Sequence, residues 1–508
     1  MAREPIRTTL LDLLAAGAAD HPALEAPDRP ALSYGALRAN VIALATQLQA
    51  LGLGRGDRIA IAMGNGPDMA IAFLAAATAA TAAPLNPKYR QEEFAFYYAD
   101  TQARALIVAP GSLEEARAAL TPGMLLLETE TRADGTLTLN APSSSTNLQP
   151  DFATPDDVAM ILHTSGTTSR PKRVPIRHRN LATSATNIIA TYALSPADRA
   201  LCIMPLFHIH GIVASLLSTL ASGGTVICPP AFDGLKFWSW VEEFRPTWYS
   251  AVPTMHQMLL SRAERHTALI QANPFRFIRS SSAPLPPVVM ERLEASFGAP
   301  VLESYGMTEA SHQMASNPLP PAPRKGGAVG IGIGVDVAIM DEAGLLLPQG
   351  VRGEVVVRGG NVVDGYENNP EANRAAFVAG WFRTGDQGYL DADGYLCLTG
   401  RIKELINRGG EKISPLEIDD VLLRHPAVAE ALSFAVPHKT LGEEIHAAVV
   451  LKSEVGEREL REHCAQLLAD FKVPRRIHVL EALPRGATGK LQRITMAKAL
   501  GLDGGATA

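Results

Sequence analysis

A short polar segment, HTSGTTSRPKRVP at residues 163–175, directly follows an apolar run. Its glycine and hydroxyl residues offer backbone N–H and O–H donors, and Lys172 adds positive charge, a combination that suits phosphate oxygens. The segment does not fit a Walker A loop, because Gly166 precedes Lys172 by six positions, Pro171 stands before the lysine and Arg173 follows it. Taken alone, it is read equally well as a phosphate-binding loop or as a polar surface loop.

Three further motifs follow this segment in order: SYGMTEA at 304–310, WFRTGDQGYLDADGYLCLTGRIKELI at 381–406 and GATGKLQR at 486–493. Together the four motifs resemble the adenylate-forming superfamily of acyl-CoA synthetases, peptide-synthetase adenylation domains and luciferases, and the resemblance covers nearly the whole chain. It implies that a carboxylate attacks the α-phosphate of ATP to give acyl-AMP and pyrophosphate, after which a thiol displaces AMP. Such a reaction is catalysed mainly by positioning and by electrostatic stabilisation.

The resemblance assigns ATP to residues in each motif. The residues that would bind the triphosphate and pyrophosphate are Thr164, Ser165, Gly166, Thr167, Thr168 and Lys172. The residues that would bind the AMP part are Ser282, Ala283, Pro284, Glu303, Tyr305, Gly306, Met307, Asp386 and Arg401. Within this set Tyr305 is expected to stack on adenine, and Asp386 to accept both ribose hydroxyls. The alternatives are a core aromatic for Tyr305 and a plain turn around Asp386.

The resemblance also implies the residues of the chemical steps. Thr308 would donate to the α-phosphate, and Glu309 would hold Mg²⁺, which prefers a carboxylate together with phosphate oxygens. Lys490, in a glycine-flanked loop, would bridge the attacking carboxylate and the α-phosphate. Lys403 would be the hinge about which a small C-terminal domain swings between the half-reactions. The plain alternatives are a solvated acid for Glu309 and a surface lysine for Lys490.

Within the superfamily, the chain resembles the oxalate–CoA ligases in PLFHIHG at 205–211, FIRSSSAPL at 277–285 and MTEASHQMASNPLP at 307–320, as well as in the opening segment. These stretches supply the residues predicted to bind the acid: His210, Ser280, Ser282 and His312, with His208 as a gate towards the CoA channel. A small dicarboxylate would favour cationic imidazoles, whereas a fatty-acid pocket would be apolar. Malonate or another short acid, structural histidines, and a metal pair lacking a third ligand remain alternatives.

Two positions depart from the family pattern. Arg173 stands where glycine is usual. If the position needs a left-handed backbone, arginine would cost about 1–2 kcal/mol; if it does not, Arg173 adds a cation near the phosphates. Gly306 stands where some oxalate ligases have alanine, which we expect to be the milder difference.

The elements that position these motifs are predicted from apolar periodicity. Helical spacing over 33–52 and a buried helix over 69–85 are followed by alternating strand and helix signals up to residue 300, which favours mostly parallel sheets covered by helices. Glycine-rich strand signals predict a β-rich subdomain at 326–400. We therefore predict an α/β fold with a large AMP-binding domain, 1–402, and a small mobile α+β domain, 403–508.

The bulk composition restricts the class of protein. The chain has 508 residues, 47% of them hydrophobic, and a net charge of −6, which argues against a nucleic-acid partner. The four cysteines form no CxxC pair, as expected in a reducing cytoplasm. We predict a soluble, cytoplasmic monomer or homodimer that does not bind membranes and acts on a small carboxylic acid, ATP and CoA. A nucleotide-binding regulator and a protein that loads a carrier in trans are the other hypotheses.

Overall fold

The computed structural model describes residues 7–140, 149–164, 171–485 and 491–502. The α-helices are α1 (Leu10–Leu13), α2 (Tyr34–Ala50), α3 (Pro67–Ala79), α4 (Gln91–Thr101), α5 (Glu114–Ala118), α6 (His178–Tyr192), α7 (Ser218–Ala221), α8 (Phe237–Phe244), α9 (Pro253–Ala263), α10 (Thr267–Ala272), α11 (Pro287–Phe297), α12 (Pro370–Ala376), α13 (Pro415–Arg424), α14 (Glu457–Leu467) and α15 (Met496–Ala499). Within the described ranges, no helix is both long enough and apolar enough to cross a membrane.

Within the described residues, the strands form four sheets. They are β1 (Pro22–Glu25), β2 (Leu32–Ser33), β3 (Arg58–Ala62), β4 (Thr81–Leu85), β5 (Ala105–Val108), β6 (Leu125–Thr131), β7 (Leu137–Asn140), β8 (Val158–Thr164), β9 (Lys172–Arg177), β10 (Arg199–Leu201), β11 (Thr225–Ile227), β12 (Trp248–Ala251), β13 (Phe277–Ser280), β14 (Val301–Met307), β15 (His312–Ser316), β16 (Asp336–Met340), β17 (Gly353–Arg358), β18 (Phe377–Val378), β19 (Trp381–Leu390), β20 (Leu396–Arg401), β21 (Ile406–Arg408), β22 (Glu411–Ile413), β23 (Val428–His438), β24 (Gly442–Leu451) and β25 (Arg476–Val479).

The first large sheet has the order β7-β6-β5-β3-β4-β8-β9. Its inner strands are parallel, and the edge pairs β6–β7 and β8–β9 are antiparallel. Apolar runs such as RIAIA in β3 suit strands that are covered on both faces. The expected helix over 69–85 is only partly correct, because α3 ends at Ala79 and the rest of the apolar run forms β4.

The second large sheet has the order β15-β14-β13-β12-β10-β11-β1-β2. It is parallel from β14 to β1, and an antiparallel pair closes each edge. A buried π-helix, His210–Leu217, lies against this sheet and continues into α7. π-helical turns are rare in proteins, and those that do occur are often found at functional sites.

Two smaller sheets complete the fold. Strands β16–β20 form an antiparallel sheet, and β21–β25 form the C-terminal sheet, so the chain passes from one sheet to the other between Arg401 and Ile406. In α14, Leu460 and Cys464 are buried. Leu467, the last residue of the helix, and Phe471, beyond its end, are exposed.

Candidate active site

The polar segment at residues 163–175 joins β8 to β9, an antiparallel pair in which Thr164 lies opposite Lys172. Ser165, Gly166, Thr167 and Thr168 lie outside the described residues, so their phosphate contacts stay predictions. The Lys172 ammonium is 4.4 Å from the centre of the Tyr366 ring, a cation–π contact. Both ends of the connection are therefore held in place by regular structure.

Arg173 does not adopt the left-handed backbone that was considered for this position. It lies within β9, opposite His163, and is not among the non-glycine residues with a positive φ, so the predicted cost of a left-handed backbone does not arise. Its guanidinium donates to the Asp100 carbonyl and lies 3.4 Å from the Asp100 carboxylate and 3.6 Å from that of Glu367. Arg173 thus anchors the strand, and its charge is balanced by carboxylates.

Glu309 sits in a 3₁₀ turn, Thr308–Ala310, directly after β14. Its Oε1 accepts hydrogen bonds from Tyr366 Oη at 2.9 Å and Thr164 Oγ1 at 3.3 Å, and the residue is buried. Both of these hydrogen bonds reach Oε1, and no hydrogen bond from the described residues reaches Oε2. A buried carboxylate with one oriented oxygen, close to Thr164 of the predicted phosphate-binding segment, fits Mg²⁺.

Tyr305 and Asp386 form a buried pair. The Tyr305 hydroxyl donates to Asp386 Oδ2 at 2.5 Å, and Arg401 Nε lies 3.4 Å from Oδ1. Burial raises the pKa of Tyr305 well above its usual value, and the Asp386 carboxylate raises it further. Asp386 and Arg401 are register partners on β19 and β20, and the hydrogen bond from Tyr305 on β14 adds a third predicted AMP residue to the group.

The segment 282–285 and Glu303 form the next wall of the site. Glu303 Oε1 accepts the Leu285 N–H at 2.8 Å, and burial raises the pKa of Glu303 to about 8. Ser282 has a φ of 73°, a conformation that glycine adopts more readily. Ala283 is half-buried and Pro284 is exposed, so the Glu303 carboxyl braces the segment from inside.

The turn after β14 depends on Gly306. A Cβ atom at this position would lie 1.9 Å from the His312 carbonyl oxygen on β15. The exchange to alanine is therefore not a mild difference in this fold, because the two strands would have to move apart. This close approach places Met307 opposite His312 and lets Thr308 start the turn that carries Glu309.

His208 and His210 lie at the start of the π-helix. His210 is fully buried, whereas His208 is partly exposed and its Nδ1 accepts the His210 N–H at 3.3 Å. A Cβ atom on Gly211 would lie 2.3 Å from the Pro205 carbonyl oxygen, so the tight turn needs glycine. In the described part of the chain, no group of three or more His, Cys, Asp or Glu side chains could hold a metal ion.

The predicted acid-binding histidines meet in the interior. The rings of His210 and His312 stack with centres 4.9 Å apart, and His210 Nδ1 lies 2.9 Å from Ser282 Oγ. Ser311 and His312 have φ values of 49° and 96°, so the backbone at His312 is strained, as is common at functional sites. Three of the four residues predicted to bind the acid therefore lie together.

Ser280 is less closely tied to this group. It follows Arg279 in β13, and successive side chains of a strand point to opposite faces of the sheet. The buried Ser280 hydroxyl forms no hydrogen bond with the described residues, so its contact with the acid stays a prediction.

Sequence reasoning missed Arg279, which is fully buried beneath both histidines. Its donors lie within hydrogen-bonding distance of five acceptors: Tyr192 Oη at 2.9 Å, Ser250 Oγ at 3.0 Å, His210 Nε2 at 3.3 Å, His312 Nε2 at 3.1 Å and Gln313 Oε1 at 3.1 Å. No carboxylate of the described residues forms an ion pair with it. The sequence feature that could have indicated Arg279 was a charged residue within the apolar strand sequence PFRFIRS.

The remaining predicted residues lie further towards the C-terminus. Lys403 is exposed in a 3₁₀ turn, Ile402–Glu404, between the two small sheets. Lys490 lies outside the described residues.

Comparison with known proteins places this geometry in a family. The family model described as AMP-binding enzyme matches residues 12–367, and the model of the AMP-binding enzyme C-terminal domain matches residues 417–490. The chain belongs to the AMP-binding enzyme family. This confirms the predicted superfamily and its α/β fold.

Relatives in the AMP-binding enzyme family match along most of their length. The chain is 47% identical to the probable CoA ligase CCL9 of Humulus lupulus, covering 98% of this chain and 97% of that protein. It is 47% identical to an oxalate–CoA ligase of Arabidopsis thaliana, covering 88% and 89%, and 45% identical to one of Saccharomyces cerevisiae, covering 87% of each.

Solved structures of the family agree with the fold. The ATP-bound crystal structure of MatB from Rhodopseudomonas palustris superposes with a TM-score of 0.87 at 30% identity, covering 98% of both chains. The o-succinylbenzoate CoA synthetase MenE of Bacillus subtilis, in complex with ATP and magnesium ion, gives a TM-score of 0.82 at 31% identity, covering 96% of this chain and 98% of that one.

Proposed function

We propose that this enzyme is an AMP-forming oxalate–CoA ligase. Oxalate and ATP would give oxalyl-AMP and pyrophosphate, and the CoA thiol would then displace AMP to give oxalyl-CoA. The names of the relatives from Arabidopsis thaliana and Saccharomyces cerevisiae support this assignment. The observation that carries it is the buried cluster of Arg279, His210 and His312, whose polar groups suit a small dianion and not a hydrocarbon chain.

The nucleotide would be held from three sides. Lys172 and Thr164, with the loop between them, would take the phosphates; Asp386 would accept the ribose hydroxyls; and Tyr305 would pack on adenine. Bound Mg²⁺ would neutralise charge on the phosphates from Glu309 Oε2. These assignments use the orientations that the strand pairing gives to each side chain.

The first chemical step brings together anions that repel each other. Lys490 would place its ammonium between the attacking carboxylate and the α-phosphate, and Thr308 would donate to a phosphate oxygen as charge develops there. For the second step, the small domain would turn about Lys403, and His208, at the partly exposed end of the π-helix, would open the route for the CoA thiol.

A substrate panel tests the proposal. ATP–pyrophosphate exchange is measured with oxalate, malonate, acetate and a medium-chain acid, and AMP and thioester are then followed with free CoA as the acceptor. We expect oxalate to give the highest kcat/KM, followed by thioester formation on CoA. Preference for the medium-chain acid would refute the polar pocket, whereas exchange without transfer to CoA would favour a carrier protein as the acceptor.

A further inference from the structure

Arg279 is a fully buried charge, and in the described part of the chain no carboxylate forms an ion pair with it. A guanidinium has five N–H donors and no acceptor, and it stays protonated in proteins. The five acceptors around it come from α6, the π-helix, β12 and β15, and none is a carboxylate. A buried charge with no opposite charge beside it is unfavourable, so its retention points to a negative charge that arrives with a ligand.

The donor-only character of Arg279 determines where the hydrogens of the two imidazoles lie. Arg279 Nη2 lies 3.1 Å from His312 Nε2 and Nη1 lies 3.3 Å from His210 Nε2, so both Nε2 atoms must accept. Ser250 Oγ accepts a hydrogen bond from Arg279 Nη1. It also lies 2.6 Å from His210 Nε2 and can donate its own hydrogen to that ring nitrogen. Each ring is therefore neutral and carries its hydrogen on Nδ1.

The polarity continues towards the segment before Leu285. His210 Nδ1–H donates to Ser282 Oγ at 2.9 Å, so the hydroxyl hydrogen of Ser282 is directed onward. Ser282 has a left-handed backbone conformation, with a φ of 73°. The hydrogen bonds that start at Arg279 thereby orient two donor groups, Ser282 O–H and His312 Nδ1–H.

We propose that Arg279 is a positioning residue that fixes His210 and His312 as neutral Nδ1–H donors and so selects an acid with a second negative charge. This inference rests on the proposed function, because it names how the acid pocket of that same reaction distinguishes a dianion from a monoanion. It replaces the expectation of cationic imidazoles, since a guanidinium facing Nε2 excludes a hydrogen there.

Two isosteric acids provide the kinetic test. Oxamate has the shape of oxalate, with an uncharged amide in place of one carboxylate. In the Arg279→Met variant, we expect KM for oxalate to rise roughly 100-fold while KM for oxamate changes far less. The matched control is Arg276→Met, three residues earlier, where the guanidinium pairs with Asp198 at 2.9 Å outside the cluster. An unchanged oxalate-to-oxamate ratio in Arg279→Met would overturn the proposal.

A spectroscopic measurement on the unmodified enzyme keeps the proposal testable if Arg279→Met does not fold. Selective ¹⁵N-histidine labelling, with assignment by His210→Gln and His312→Gln, should show both Nε2 atoms as unprotonated at pH 7. An imidazolium pattern on either ring would refute the proposal. Because this readout needs no turnover, it separates the two ideas: an enzyme inactive with every acid but with neutral Nδ1–H rings would refute only the proposed oxalate reaction.

Discussion

Glu303 should make the stability of the large domain depend on pH. Its carboxyl is buried, accepts the Leu285 N–H, and lies near Asp420 of α13 in the C-terminal region, whose charge adds to the effect of burial. Burial also raises the pKa of Asp420, to about 7. An acid whose pKa is higher in the folded protein binds its proton more tightly there, so the free energy of unfolding falls as pH rises from the ordinary pKa, 4.5, towards about 8.

The size of the change in unfolding free energy follows from the raised pKa of Glu303. Each pH unit within this window is worth about 1.4 kcal/mol, and the slope is partial at both ends. Between pH 5 and pH 8, ionisation of Glu303 should therefore lower the free energy of unfolding by about 3 kcal/mol. Glu303→Gln keeps an acceptor for the Leu285 N–H and removes the titration, so its unfolding free energy should fall less over this range.

Tryptophan fluorescence is suited to the measurement. The four tryptophans all precede the C-terminal sheet, so their emission in urea reports the large domain: Trp238, Trp240, Trp248 and Trp381. Unfolding curves are compared at pH 5, 6, 7 and 8 for the wild type, Glu303→Gln and Glu291→Gln, an exposed glutamate on α11 that serves as the matched control. Parallel pH dependences for the wild type and Glu303→Gln would refute the reasoning.

Three further predictions concern the site itself. Lys490→Ala should abolish pyrophosphate release yet spare thioester formation from supplied acyl-AMP, measured as separate half-reactions; equal loss of both would contradict its assigned role. Asp386→Asn should raise KM for ATP about tenfold and weaken AMP binding in calorimetry, since the ribose loses a carboxylate and Arg401 loses its partner; an unchanged affinity would count against the ribose contact. Gly306→Ala should lower the unfolding free energy by about 1–3 kcal/mol, because its Cβ would meet the His312 carbonyl at 1.9 Å; a variant as stable as the wild type would show that the strands adjust freely.

The strands of the large sheets could be predicted because their residues repeat a local pattern. VAMILHT, which belongs to the alternating strand and helix signals before residue 300, is β8 from its first residue to its last. The boundary inside MAIAFLAAATAATAAPL was missed because a buried helix and a buried parallel strand are both apolar throughout. Only the pairing of β4 with β3 and β8 makes Thr81–Leu85 extended, and that pairing is not local.

The nucleotide motifs could be predicted, but the arrangement around Arg279 could not. Arg279 meets acceptors that range from Tyr192 to Gln313 along the chain, a span with no fixed spacing from which to infer contact. The ion-pair partners of Arg173 could not be predicted for the same reason, since Asp100 and Glu367 lie far from it in sequence. In both cases the position of a charge depends on tertiary contacts, whereas the motif residues of one loop are neighbours already.

A pocket for a small dianion needs positive charge that the dianion cannot remove. Imidazolium would supply charge, but it can give its proton to a carboxylate, and its charge would vanish as pH rises through its pKa. A guanidinium keeps its proton, and in this fold it stands behind His210 and His312, while under the proposal neutral N–H and O–H groups would make the contact. The acid would then meet aligned donors backed by a permanent charge, at fixed geometry. Charge and contact would thus be divided between Arg279 and the histidines, and the histidines alone would not account for selectivity for a second carboxylate.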